Sequence, residues 1–407
     1  MLNANNEREL AYVVLIDGIE PIPGYDRVET AIVGGWHVIV QKDQFKVGDP
    51  AIYFEIDSRV PKDKECFAFL EKRNYKIKTL KMCKTISQGL LMHASDFGWE
   101  IQVDGSIWIP GDGDHGRHYV DDESRFLTKI LGVTYAEAED NQRKAPSMDK
   151  YKKMAQRHPH IFKKPFVRWL MKRNWGKKLM FFFFGKKKDK KNGWPTWVAK
   201  TDEERVENMP WILNDKTKKW IATEKVDGSS TTFTMKRGKW GKFEFYVCSR
   251  NVCFDSVDKP CYYDTNIYWE MAEKYHMFDV LKNFFDLYPA LEWVTIQGET
   301  FGEGVQKNTY DIQGHDFRAF NLIDSVIGRW NSVEMQELLE IKYDIPCVPI
   351  LDSAFVMPDT VEELREYVNS MPSVINNKMK EGIVFRTQDG IQSFKCVSPE
   401  YLLKYHA

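Results

Sequence analysis

The sequence predicts an α+β chain in two folded parts. A small antiparallel β-barrel is expected at the start, followed by antiparallel sheets with flanking helices. Three observations predict it. Short apolar runs recur between turn residues near the N-terminus, a basic and aromatic stretch interrupts the middle, and the second half mixes strand-like alternation with runs of helical period. With 407 residues, 43% of them hydrophobic, the chain is long for one domain and can fill two cores. The boundaries read from these shifts are 1–120, a linker with a basic insertion at 121–194, and 195–407.

In the first part, "AYVVLI", "TAIVGGWHVIV" and "PAIYFEI" are separated by "PIPGYD" and "KVGD", the spacing of a closely wound barrel. Further strands are expected at "YKIKTLKM", "QGLLMHA" and "GSIWIP". Lys76 and Lys78, on one face of a strand, with Lys81 and Lys84 nearby, offer a cationic surface to phosphates. Singly, each is an ordinary edge-strand lysine that deters aggregation.

From Gln142 to Gly193, Lys and Arg crowd the chain against only Asp149 and Asp189, with Trp169, Trp175 and six Phe interleaved. Binding of a nucleic-acid backbone ranks first here, a solvated insertion second and membrane contact third. The run "KKKDKK" also has the composition of a nuclear localisation signal.

A linker and helix are expected over "PTWVAKTDEERVENM", then strands at "WIATEK", "STTFTMKR" and "KFEFYVCS". In "TNIYWEMAEKYHMFDVLKNFFDLY", Ile267, Met271, Tyr275, Phe278, Leu281 and Phe285 recur at helical spacing, which predicts one helix with a core-facing stripe. Strands at "WVTIQGE" and "FRAFNLID" follow, then helices near 332–343 and 360–370, the second opened by a Thr360–Glu363 capping box. "EGIVFR" and "IQSFKCVS" close the set as strands.

The formal net charge of −1 conceals the basic block and says little about partners. Seven cysteines without a CxxC pair predict free thiols, a reducing cytoplasmic setting and no zinc site. The N-terminal residues lack a signal-peptide pattern, and the longest apolar run, 179–184, is too short to span a bilayer, so a soluble monomer is expected.

One stretch resists a purely structural reading. "TEKVDGSS", 223–230, fits a hairpin turn at Asp-Gly, and equally a strand that ends in a nucleophilic Lys225. The ambiguity narrows because ionisable residues recur beside glycines at strand ends: Lys225-Val-Asp-Gly, Ser249-Arg250-Asn251, Gln297-Gly298-Glu299, Lys380-Glu381-Gly382 and Phe394-Lys395. Glycine there lets a ligand approach the backbone.

In this order the segments resemble the covalent nucleotidyltransferase superfamily of ATP-dependent ligases and mRNA-capping enzymes. "EKVDGSS", "SRN", "QGETFGEG", "FRAFNLID", "KEGIVFR" and "SFKCV" look like its successive motifs. "KTDEERVEN", "IQGE" and "FRAFN" look most like RNA ligases. "GWHVIV", "KVGDPAIYFEIDS" and "ISQGL" resemble the clade with an OB domain before the transferase domain and none after it. The resemblance covers roughly 12–110 and 195–404 and leaves the basic block out.

The resemblance implies an ATP-dependent RNA ligase with Mg²⁺ or Mn²⁺, joining RNA 5′-phosphate and 3′-OH ends, a nicked duplex among the candidates. Lys225 would carry AMP, and Arg250 and Lys395 would bind the α-phosphate. Asp227, Glu299 and Glu381 would hold the metal through water, Phe320 would stack on adenine, Glu224 would read its edge, and Gly228 would line the site. A lysine must lose its proton to attack, so a nearby divalent cation and cationic neighbours such as Lys395 are expected to lower its pKa. The sequence departs from relatives at Asn321, where Asp is common, and in carrying Ser393 and Val397 beside Lys395 instead of a second lysine. With no OB domain after the last motif, a cation from the N-terminal half is expected to orient the pyrophosphate. The alternatives are a GTP-dependent capping-type guanylyltransferase and a catalytically inactive RNA-binding protein on the same fold.

Overall fold

A computed structural model describes residues 1–3, 7–102, 107–111, 113–119, 125–136, 194–200, 202–254, 261–263 and 265–406, with 166, 167, 170, 173, 180 and 256 singly. The expectations placed on the 142–193 block therefore lie outside the described residues, apart from five isolated positions. Among the described residues no helix is long and apolar enough to cross a membrane.

The N-terminal part is built of short antiparallel strands. β1 (Ala11–Leu15) pairs with β5 (Pro50–Phe54), which also pairs with β6 (Leu90–Met92); β2 (Gly18–Pro21), β3 (Val28–Val33) and β4 (Trp36–Gln41) form a meander. The period of two is visible in β4, where Trp36, Val38 and Val40 are buried and His37 and Ile39 between them are half-exposed. The apolar run 30–40 is two strands, because the chain turns at Gly34-Gly35. Of the four lysines expected to share a surface, Lys76 and Lys81 lie on separate strands, Lys76–Ile77 and Thr79–Met82, with Lys78 between those strands and Lys84 in the turn after the second.

The C-terminal part has two sheets. One orders five strands as β7 (Glu204–Arg205), β17 (Ser393–Val397), β16 (Gly382–Thr387), β8 (Trp220–Lys225) and β15 (Ile350–Phe355). The other orders six: β11 (Cys253–Phe254), β10 (Phe243–Ser249), β9 (Ser229–Arg237), β12 (Trp293–Gly302), β13 (His315–Asp324) and β14 (Gly328–Arg329). Helices α1 (Ile267–Lys274) and α2 (Met277–Leu287) cover the six-stranded sheet, burying Met271, Leu281 and Phe284 against Phe233, Met235 and Ile296. Helix α3 (Val361–Ser370) covers the other, placing Leu364 and Val368 against Trp220, Phe385 and Phe394, and it starts with the expected box: Thr360 Oγ1 accepts from Glu363 N at 3.2 Å while Glu363 Oε2 accepts from Thr360 N.

Three expectations are corrected. The single helix over 265–288 is two, because His276 takes a left-handed conformation (φ 49°) with no glycine or proline to signal it; Phe278, counted in the stripe, is exposed. The helix expected within "PTWVAKTDEERVENM" is absent among the described residues, which form β7 and then a short 3₁₀ turn, Val206–Asn208. Cys248 and Cys253 face each other across β10 and β11 and form a disulfide with Cα atoms 4.1 Å apart. A four-residue turn brings them opposite, which their spacing did not suggest. Free thiols remain at positions 66, 83, 261, 347 and 396, so the case for a reducing compartment from uniformly free cysteines no longer holds.

The two parts share a core and a buried polar seam. Val397 and Leu402 from the C-terminal part join Trp36, Tyr53 and Val38 in one apolar cluster. Gly34 (φ +55°) and Gly35 lie so close to Glu207 that a Cβ on either would come within 2.8 Å of its backbone. Asn208 is held on three sides, accepting from Trp36 Nε1 at 2.6 Å and Tyr12 Oη at 3.1 Å and donating to Glu55 at 2.6 Å. Glu55 is buried and also receives the Met1 ammonium at 2.6 Å and Arg8 at 3.2 Å. Burial alone would raise its pKa, but the ammonium, Arg8 and the Asn208 amide hold it at about 2, from an ordinary 4.5. A depressed carboxylate adds stability above its unfolded pKa and loses it as pH falls towards the folded value, by about 3 kcal/mol here. Acid unfolding of the wild type is thus expected to draw on Glu55 between roughly pH 4.5 and 2, and Glu55→Gln should lower the neutral-pH midpoint in urea and flatten that acid limb.

Candidate active site

Strand pairing assembles the site. β8 and β9 are consecutive but belong to different sheets, so Asp227-Gly228 is a crossing between sheets and the hairpin reading is corrected. β8 is paired with β16 so that Lys225 stands opposite Gly382, which brings Glu381 beside it. β9 is paired with β12 so that Ser230 stands opposite Glu299. Between the sheets opens a cleft of ≈ 760 Å³ lined by Lys225, Gly228, Glu299, Phe320, Arg250 and Lys395, with Arg8 reaching in from the N-terminal part. Its size suits a nucleotide-sized ligand.

The glycines at these strand ends serve the protein's own backbone. A Cβ at Gly228 would meet Thr300 O at 2.4 Å, at Gly298 Arg318 O at 2.3 Å, and at Gly382 Cys396 O at 2.4 Å. All three thus allow close backbone-to-backbone approach, and Gly228 also lines the cleft.

Lys225 Nζ donates to Glu381 Oε2 at 2.6 Å. Burial pushes its pKa down, but Glu381, Glu299 and Asp227 together outweigh that and hold the amine above the ordinary lysine value. The side chains alone therefore work against the expected lowering, which is left to the divalent cation. Lys395, also expected to act against the charged amine, is itself paired with Asp202 at 2.9 Å. Glu299 is pushed up to about 8 by burial and by the nearby charges of Glu381 and Asp227. Neighbouring carboxylates with one pKa driven up mark a site short of positive charge, and such a donor set fits a divalent cation held through water. Among the described residues, no three acidic, His or Cys side chains converge as direct ligands.

The other expected residues divide. Arg250 sits in the turn between β10 and β11, inside the disulfide, and donates to Asp202 at 2.8 Å. Phe320 is half-buried with its ring at the cleft, and Arg386 lies 6.0 Å from its centroid. Asp227 is turned away from the cleft: its Oδ2 accepts from Tyr401 Oη at 2.8 Å and lies 3.5 Å from His406 Nε2, both from the C-terminal helix. Glu224 lines the cleft with both oxygens engaged, Oε1 by Ser373 Oγ at 2.5 Å and Oε2 by Val374 N at 2.8 Å, so it anchors that loop. Asn321 faces the opposite side of β13, donating to Gln297 Oε1 at 3.1 Å, and takes no part in the cleft.

Sequence reading missed Asp202, Arg8, Tyr401 and the wall formed by Tyr262, Tyr263 and Tyr268, whose Oη shares a hydrogen with Ser229 Oγ at 2.8 Å. Asp202 sat in a phrase that carried the family resemblance, and that was its only signal.

Residues 218–406 match the RNA ligase family model, and residues 10–94 match an OB-fold domain. Among solved structures, the chain is similar to Naegleria gruberi RNA ligase with PPi, at 26% identity over 98% of this chain and 99% of that one, with a TM-score of 0.69. It is equally similar to a variant of that ligase with ATP and Mn (26%, 98% and 100%, 0.69) and to another with AMP and Mn (26%, 98% and 99%, 0.68). No curated protein matches. Residues 218–406 are thus similar to the RNA ligase family, with a match to an OB-fold domain ahead of them at 10–94.

Proposed function

We propose that this chain is an ATP-dependent RNA ligase that joins an RNA 3′-OH to a 5′-phosphate through AMP carried first on Lys225 Nζ and then on the RNA end. The observation that carries the reading is the cleft itself, where Lys225 meets a proton acceptor at 2.6 Å and shares its walls with Arg250, Lys395 and Phe320. The Naegleria gruberi ligase structures with ATP, AMP, PPi and Mn support the choice of cofactors.

Lys225 must shed a proton before it attacks, and Glu381 Oε2 is placed to receive it. The freed amine then forms a P–N bond at the α-phosphorus as the bond to the pyrophosphate oxygen breaks. Next an RNA 5′-phosphate oxygen displaces Lys225 from that phosphorus. Last, a 3′-hydroxyl attacks the activated 5′-phosphate, losing its proton and releasing AMP. Arg250 and Lys395 place positive charge where the phosphate accumulates negative charge. Phe320 offers a face for stacking the base, and the N-terminal OB-fold domain would hold the strand through its groove. Glu299 and Glu381, with Asp227 behind them, would hold Mg²⁺ or Mn²⁺. That ion, when bound, supplies charge that disfavours the protonated amine and shields the phosphates.

The test is incubation with α-³²P-ATP and a divalent salt, followed by acid precipitation. A label on the protein that unlabelled ATP competes away and GTP does not is expected, and it should chase onto 5′-phosphorylated RNA. Competition by GTP would turn the reading to a capping-type enzyme, and absence of label would end it.

A further inference from the structure

Asp202 gathers three cations that the chain supplies from three separate places. Its Oδ1 accepts from Lys395 Nζ at 2.9 Å and Arg8 Nη2 at 3.2 Å; its Oδ2 accepts from Arg8 Nε at 2.9 Å and Arg250 Nη2 at 2.8 Å. Arg8 precedes the first strand of the OB-fold domain, Arg250 comes from the six-stranded sheet, and Lys395 from the five-stranded sheet. A carboxylate has about four lone-pair sites, and all four are in use. Asp202 is itself fixed, because β7 two residues on runs parallel to β17 with Arg205 opposite Lys395.

Three cations this close would repel one another, and a single anion among them holds them together while leaving net positive charge facing the cleft. All four side chains line that cleft. We propose that Asp202 is a positioning residue that fixes Arg250 and Lys395 for the nucleotide phosphate and, through Arg8, makes their placement depend on the docked OB-fold domain. The inference rests on the reading of the cleft as an ATP site.

The charges facing Lys395 bear on the test. Burial, Arg8, Arg205 and Lys225 push its pKa down and Asp202 pushes it up, with a net value of about 8. In Asp202→Asn the shape is kept and the charge lost. The single-turnover rate of lysyl-AMP formation at saturating ATP should fall by about 10–100-fold, the cost of misplacing groups that act on the transition state. The ATP concentration for half-maximal rate should change less than the rate does. The alkaline limb of the rate should also move to lower pH, which a merely structural role would not cause. Asp202→Glu, which keeps the charge but lengthens the arm, should slow labelling by about 5-fold or more with the limb where it is in the wild type.

The two readings fail differently. A wild type that takes no label from ATP removes the ATP site itself. A labelled wild type, with Asp202→Asn folded by circular dichroism and matching it in rate and pH limb, overturns the positioning role alone. If Asp202→Asn does not fold, a wild-type rate in Asp202→Glu overturns it.

Discussion

Lys225→Ala should take no covalent label from α-³²P-ATP and should lose overall RNA sealing by about 10⁴-fold or more, because it removes the atom that carries the nucleotide. The loss should come without unfolding: the Lys225 side chain lies at a strand end in the cleft, and Ala222 and Ile221 in the same strand supply its buried contacts. Removing the amine frees Glu381 from a 2.6 Å ion pair, so thermal unfolding should shift by only a few degrees. A sharper outcome follows from dividing the reaction. RNA adenylated beforehand at its 5′ end bypasses the lysine, and Lys225→Ala should still seal it, since Arg250, Lys395 and the metal-binding acids stay in place. If Lys225→Ala were labelled as strongly as wild type, another nucleophile would have to exist and the assignment would fall.

Lys395→Ala is expected to be the next most damaging change, slowing lysyl-AMP formation by about 10²–10³-fold, the usual cost of removing one preorganised charge from a developing negative centre. The wild-type enzyme should carry the signature of this residue in its pH dependence. Burial, first, and the cations around it bring Lys395 down to about 8 against the pull of Asp202. The ammonium is the active form, so the rate is supported below about pH 8 and lost as pH rises through it. Lys395→Ala should lack that alkaline limb, measured as the rate of labelling at saturating ATP from pH 6 to 10. A limb retained at the same pH in the variant would assign it to a different group.

The strands of the catalytic part were legible because each carries its own local signal: alternation in "STTFTMKR", branched residues in "EGIVFR", turn residues between. Lys225, Arg250, Glu299, Phe320 and Lys395 could be read as well, since each stands in or just beyond such a strand, and all five line one cleft. What escaped was set by distance along the chain. Residues 8, 202, 250 and 395 meet only after two sheets and a second domain have come together, and no local pattern encodes that. The direction of a carboxylate is equally nonlocal. Asp227 shares a strand end with Lys225, yet Tyr401, more than 170 residues on, decides where it points. His276 breaks a helix whose apolar period continues unbroken across it.

The apolar cluster that unites Trp36 and Tyr53 with Val397 and Leu402 has a practical consequence. A fragment cut to residues 195–407 would bare that greasy surface to water and strip Asn208 of its indole and phenol donors. Expressed alone it should aggregate, whereas the full chain should melt in a single cooperative step in which neither part outlives the other.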